Sequence, residues 1–104
     1  MLGERFTITD VEREKVLGNY FKLGLQGPLD VFPSKEKRRY IIAQEIIKHF
    51  VVDKTYVEKE INDLLATIYP DFATVRRFLI DYRFMNRSDD GKHYWIEDRT
   101  HANT

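Results

Sequence analysis

A chain of 104 residues, 42% hydrophobic and 33% charged, is long enough to bury one core and too apolar to stay disordered. Basic and acidic side chains balance at seventeen each, which argues against strong non-specific binding to nucleic acid. The lack of cysteine excludes disulfides and thiolate-ligated metals, and no apolar run approaches membrane-spanning length. Met1-Leu2-Gly3-Glu4-Arg5 lacks the apolar centre of a secretory leader, so the expected setting is cytoplasmic, without a membrane partner.

In chain order, residues 1–8 carry no pattern. Thr9 or Asp10 can cap a first helix reaching about Phe21, on which Val16, Leu17, Tyr20 and Phe21 cluster. Gly24-Leu25-Gln26-Gly27-Pro28 breaks it. Phe32-Pro33-Ser34 opens the next element, with Ser34 as its expected N-cap. From Lys35 to His49 the residues Ile42, Ala43, Ile46 and Ile47, continued by Phe50, recur as one buried stripe. Five bases face two acids between Lys35 and Lys48, and Lys37, Arg38 and Arg39 crowd the first turn. The helix dipole disfavours an exposed cation there by roughly 0.3–1 kcal/mol, so these cations either serve a purpose beyond the helix or simply solubilise it.

Val51-Val52-Asp53-Lys54 is a short connection, after which Thr55-x-x-Glu58 reads as a capping box. Ile61, Leu64, Leu65 and Ile68 give the next helix its apolar face, and Tyr69-Pro70 stops it. Asp71 can cap a further helix from Phe72 to Tyr82. Two helices joined by about three residues match a helix-turn-helix. On the second of them Phe72, Val75, Phe78, Leu79 and Tyr82 fall on one side, with Thr74, Arg77 and Asp81 opposite and Arg76 on the flank. Ile80 also falls on the far side and needs a contact, either with the N-terminal helix or with a second chain. After Arg83 the pattern alternates: Phe84–Arg87, a turn at Ser88-Asp89-Asp90-Gly91, then Lys92–Ile96 read as a β-hairpin. The expected fold is mainly α with a small hairpin (α+β), a winged helix-turn-helix over 32–97. An extra N-terminal helix and linker occupy 1–31, and a polar tail 98–104.

The linked runs Phe32-Pro33-Ser34-Lys35-x-Lys37-Arg38-Arg39, Tyr56-x-Glu58-Lys59-Glu60-Ile61-Asn62, Asp71-Phe72-Ala73-Thr74-Val75-Arg76-Arg77-Phe78-Leu79-Ile80-Asp81, Phe84-Met85-x-Arg87 and Gly91-x-x-Tyr94-Trp95 carry a family resemblance. Over about residues 10–96 the chain resembles the bacterial domain-of-unknown-function family 2087. Members of that family occur alone or attached to helix-turn-helix regulators of the arsenical-resistance type, and are commonly labelled transcriptional regulators. The resemblance therefore implies a DNA-linked role by association. Two departures stand out. Arg83 replaces a frequent glycine suited to a left-handed helix end, and Val57 replaces a threonine, so the cap is expected to move to Thr55.

The expected function is DNA binding, as a transcription regulator or an accessory domain of one. Thr74, Arg76 and Arg77 would face the major groove, with Arg76 held by Asp81 or Glu60. Lys37, Arg38, Arg39, Arg83, Arg87 and Lys92 would offer phosphate contacts. Asp89 and Asp90 at the hairpin tip oppose a phosphate role for the wing, and Trp95 is expected to pack the core. The competing reading is a protein-interaction or dimerisation module; a homodimer through the N-terminal helix and Ile80 fits either. Glu58, Glu60, Asn62 and Asp63 lack histidines at ligand spacing and read as helix stabilisers, with Asn62 an internal hydrogen-bonding residue. No nucleophile elbow, phosphate-binding glycine loop or paired catalytic acids can be found, so neither an enzyme nor a cofactor is expected.

Overall fold

The computed structural model describes residues 7–25 and 27–97. The tail read for 98–104 and most of the unpatterned start lie outside them. The first helix, α1 (Asp10–Tyr20), begins where the sequence predicts, with Thr9 as its N-cap and the Thr9 Oγ1 accepting from the Glu12 backbone N–H at 3.1 Å. Val16, Leu17 and Phe21 bury one edge of this helix. The linker that follows is pinned rather than loose. The Leu29 N–H donates to the Ile68 carbonyl at 2.8 Å, and the Asp30 N–H to the Tyr20 carbonyl at 3.0 Å.

Helix α2 (Glu36–Ile46) starts later than a Ser34 cap would place it: Lys35 is the N-cap, and no side chain caps this end. Arg39 secures the entry instead, donating from Nε to the Pro33 carbonyl at 2.6 Å. Burial exceeds the predicted stripe, because Tyr40, Ile41, Ile42, Ala43 and Ile46 are all inside. A helix buried on more than one side sits between layers, and α2 is the central helix of this domain. One 3₁₀ turn (Ile47–His49) carries the chain out to the buried Phe50.

The predicted capping box at Thr55 is not formed. Thr55–Val57 is instead a short strand, β1, and Val57 is the N-cap of α3 (Glu58–Ile68). Valine has no oxygen with which to accept from the helix, so only the other half of a box survives, with Glu60 Oε1 accepting from the Val57 N–H at 2.9 Å. The Thr-Tyr-Val triplet has strand-forming side chains, and its partner lies some forty residues away in sequence. Pairing won over local capping.

Helix α4 (Phe72–Asp81) follows after three residues, capped by Asp71 as expected. Arg83 takes the left-handed conformation (φ 62°) that glycine would adopt without strain. Around it the Arg83 N–H donates to the Ile80 carbonyl at 3.0 Å and the Phe84 N–H to the Leu79 carbonyl at 2.8 Å, the paired bonds of a Schellman motif. Leu79 and Phe84 are both buried, giving the motif its apolar clasp.

The chain closes on β2 (Met85–Arg87) and β3 (His93–Ile96), and the antiparallel sheet has the order β1-β3-β2. Tyr94 lies opposite Tyr56 on one side and Arg87 on the other. Residues directly opposite share a face, so Tyr56, Tyr94 and Arg87 point to the helix side, as do Met85 and Ile96. Trp95 belongs to the outer face, between Thr55 and Asn86, and is only half-buried; core packing falls to its neighbours Tyr94 and Ile96. Ile80 is half-buried against the core of its own chain, which removes the demand for a second chain at that position.

Candidate nucleic-acid interface

The basic residues singled out by the sequence divide into those held by the fold and those left facing water. Lys37 Nζ lies 2.9 Å from Glu12 Oε2, tying α2 to α1, and its hydrogen bond and charge hold the Glu12 carboxyl below the usual carboxylate range. Arg38 Nη1 reaches the Tyr20 hydroxyl at 3.4 Å. Arg39 lies over the rings of Phe32 and Phe78, 5.2 and 5.9 Å from their centroids, while bonding Pro33. Phe32 in turn packs edge-on against Phe78 at 5.8 Å, so one guanidinium locks the linker onto α2 and α4. This first-turn cluster is used for helix docking.

The α4 cluster is arranged differently. Asp71 caps the helix, accepting from the Thr74 N–H at 3.4 Å and from the Thr74 hydroxyl at 2.7 Å, so the Thr74 side chain belongs to the cap. Arg76 is half-buried and donates through Nη1 to Asn62 Oδ1 on α3, with its guanidinium carbon 6.0 Å from the centre of the Tyr94 ring. Its partner is an amide, not the Asp81 or Glu60 carboxylate expected. Asp81 points to solvent, and Glu60 caps α3 while lying 3.7 Å from Lys54. Asn62 has the internal hydrogen-bonding role read for it. Arg77 is exposed on the outer face of α4 beside Ala73, and no carboxylate holds it among the described residues.

At the hairpin, Arg87 and Lys92 flank a turn whose acids are not equivalent. Asp90 Oδ1 accepts from the Ser88 hydroxyl at 2.6 Å and from the Lys92 N–H at 3.0 Å, and the His93 N–H closes onto Ser88 Oγ at 3.1 Å. The Ser88 hydrogen bond, more than any other group, keeps the Asp90 carboxyl below its ordinary range. Asp90 is thus a turn-building acid, which leaves Asp89 as the outward charge at the tip. Gly91 adopts φ 72°, and a Cβ there would stand 3.4 Å from Arg87 Nη1, so the Arg87 guanidinium lies against the turn. Arg83, Arg87 and Lys92 are all exposed. Of the acids on α3, Asp63 pairs with Lys59 at 2.7 Å and raises the Lys59 pKa, the helix-stabilising use expected of it.

Among the described residues no three His, Cys, Asp or Glu side chains converge as a metal site would require, and no helix is long and apolar enough to cross a membrane.

A family model, DUF2087, described as an uncharacterized protein conserved in bacteria, matches residues 28–96, about two-thirds of the chain. The chain belongs to this family. The match takes in α2 to β3 and therefore every candidate contact residue, whereas α1 precedes it; the resemblance over residues 10–27 is not part of the matched span. Neither a search of curated proteins nor one of solved structures returned a match.

Within the DUF2087 span sequence reasoning missed one structural role and one pairing. Arg39 reads from the sequence as a phosphate contact; of the rings that claim it, Phe32 lies just before α2, whereas Phe78 lies within α4 and reaches it only through the fold. Asn62 and Arg76 lie fourteen positions apart, and the amide–guanidinium bond follows from the packing of α3 on α4, which periodicity does not specify.

Proposed function

We propose that the domain is a winged helix-turn-helix that binds double-stranded DNA, with α4 entering the major groove and the β2–β3 hairpin lying along the backbone. The order α2-β1-α3-α4-β2-β3 supports it, with α3 and α4 joined by three residues and the hairpin clamped to β1. The observation that carries the reading is Arg77. It is an exposed arginine on the outer face of α4, free of carboxylates among the described residues, while its neighbour Arg76 is bonded to Asn62. An exposed guanidinium there has the reach and fork geometry to bond guanine O6 and N7. Ala73, one turn earlier, fits a thymine methyl. Thr74 is withdrawn into the cap, so base contact narrows to Ala73 and Arg77. Regulation of transcription from a cytoplasmic setting is the role this activity would serve.

The test is fluorescence anisotropy of mixed-sequence duplex DNA titrated at low and then rising salt. Affinity that falls linearly in log–log form with salt, and drops about tenfold in Arg77→Ala, is the expected result. Failure to bind at low salt would remove the reading.

A second reading, a protein-interaction module, is favoured by one feature away from α4. Glu14, Leu17, Gly18, Phe21, Gly24 and Leu25 line an open, mainly apolar cavity of about 270 Å³ at the end of α1. Val11 and Leu23 are the most exposed large apolar residues described, and both lie before Pro28, where the family match begins.

A further inference from the structure

We infer that Arg76, Arg87 and the side-chain amide of Asn62 form a seat for phosphate oxyanions at the junction of α3, α4 and the hairpin. The proposal rests on the DNA reading for the source of the phosphate and not for the site itself.

Three observations converge on it. Arg76 is half-buried, and among the described residues its only polar partner is neutral, so a partly desolvated cation lacks a counter-charge. A charge in that position is costly until an anion completes it. The Tyr94 ring beneath Arg76 is directly opposite Arg87 on the helix-facing side of the sheet, so both cations rise from one face, with the exposed Arg87 guanidinium standing at its Gly91 end. Arg87 likewise has no carboxylate partner among the described residues. Finally, accepting from Arg76 fixes the Asn62 Oδ1 toward α4, which leaves Nδ2 as a donor with no acceptor among the described residues. Two guanidinium groups and one amide offer donors only. Phosphate, with its spread negative charge and several acceptor oxygens, is the complement of such a set.

Arg76 therefore contacts backbone phosphate and not a base edge. The side chain that fastens α4 to α3 also senses whether a phosphate chain passes between α4 and the hairpin, and Ala73 and Arg77 are left to discriminate sequence.

Asn62→Asp tests this most sharply, because it gives Arg76 the missing carboxylate inside the protein. If Asn62 were only structural, the added carboxylate would act merely as one more negative charge, a repulsion that fades as salt rises. The expected result is at least fivefold weaker binding to short mixed-sequence duplex, alike for every sequence, with melting temperature held or raised. Arg87→Gln, at an exposed position, should weaken binding similarly and flatten the log–log salt slope by about 0.9 per phosphate lost. Inorganic phosphate, followed by ³¹P NMR line-broadening, is the second arm. If both variants bind duplex like the wild type while Arg77→Ala is impaired, the seat is overturned and the DNA reading stands. Loss of duplex binding in the wild type, with inorganic phosphate still held and released by the two variants, keeps the seat and removes DNA as its source. A wild type that binds neither overturns both.

Discussion

The turn Lys37-Arg38-Arg39 and the pair Arg76-Arg77 look alike in the sequence, each a knot of adjacent cations on a helix, the first in an opening turn and the second at mid-helix. In the structure they do opposite things. The first is drawn inward: Lys37 pairs with Glu12, Arg39 stacks on Phe32 and Phe78, and the unfavourable dipole at the α2 N-terminus is offset by contacts that dock α1 and the linker. The second keeps one cation half-buried, with no counter-charge among the described residues, and the other in water. Charge segregation along a chain marks where cations are concentrated, and partners decide what they are available for.

The largest effect that would break this contrast is in Arg39→Ala. It removes a charge-assisted hydrogen bond and two ring contacts, and should cost about 1.5–3 kcal/mol in chemical denaturation with duplex affinity unchanged in the folded protein. Arg77→Ala should do the reverse, shifting stability by no more than about 0.5 kcal/mol while weakening duplex binding about tenfold. A stability loss in Arg77→Ala equal to that in Arg39→Ala would erase the distinction.

Much of this was legible beforehand. Thr9 and Asp71 cap where short oxygen-bearing side chains precede apolar periodicity, and Tyr69-Pro70 ends α3 because a residue before proline leaves the helical region. The α4 face and the hairpin followed from a change of period. What could not be read were interactions between distant segments. β1 is three residues long, too short for alternation to register, and it forms because β3 returns beside it. Ser34 lost the α2 entry to Arg39, whose bond to Pro33 depends on Phe32 and Phe78 being in place. At the site, Arg77 was legible from its helical angle and Arg76 as a held residue, but the amide partner of Arg76 and the withdrawal of Thr74 were not.

A smaller effect sharpens the account of the α4 terminus. Arg83→Gly relieves a left-handed residue within an intact Schellman motif and should raise stability by about 0.5–1 kcal/mol. No gain would mean that the Arg83 side chain contributes as much as its backbone conformation costs.

The smallest effect is in acid. The folded-state pKa values of Asp90 and Glu12 lie below their unfolded ones, so the stability they contribute is present above the ordinary carboxylate range and lost as pH falls below it. Backbone amide shifts of Lys92 and Ser88 should report the hairpin step, and the Glu12 side-chain carboxyl the docking of α1. Either group titrating at or above its ordinary value would contradict the assigned hydrogen bonds.

The central claim, that α4 and the hairpin face nucleic acid while the α2 entry does not, is tested most directly by mapping ¹H–¹⁵N shifts on addition of a short duplex. Perturbations are expected at Ala73, Arg77 and the Arg87–Lys92 hairpin, with Lys37, Arg38 and Arg39 still. Perturbations centred on α1 and the first turn of α2, or none at low salt, would contradict it.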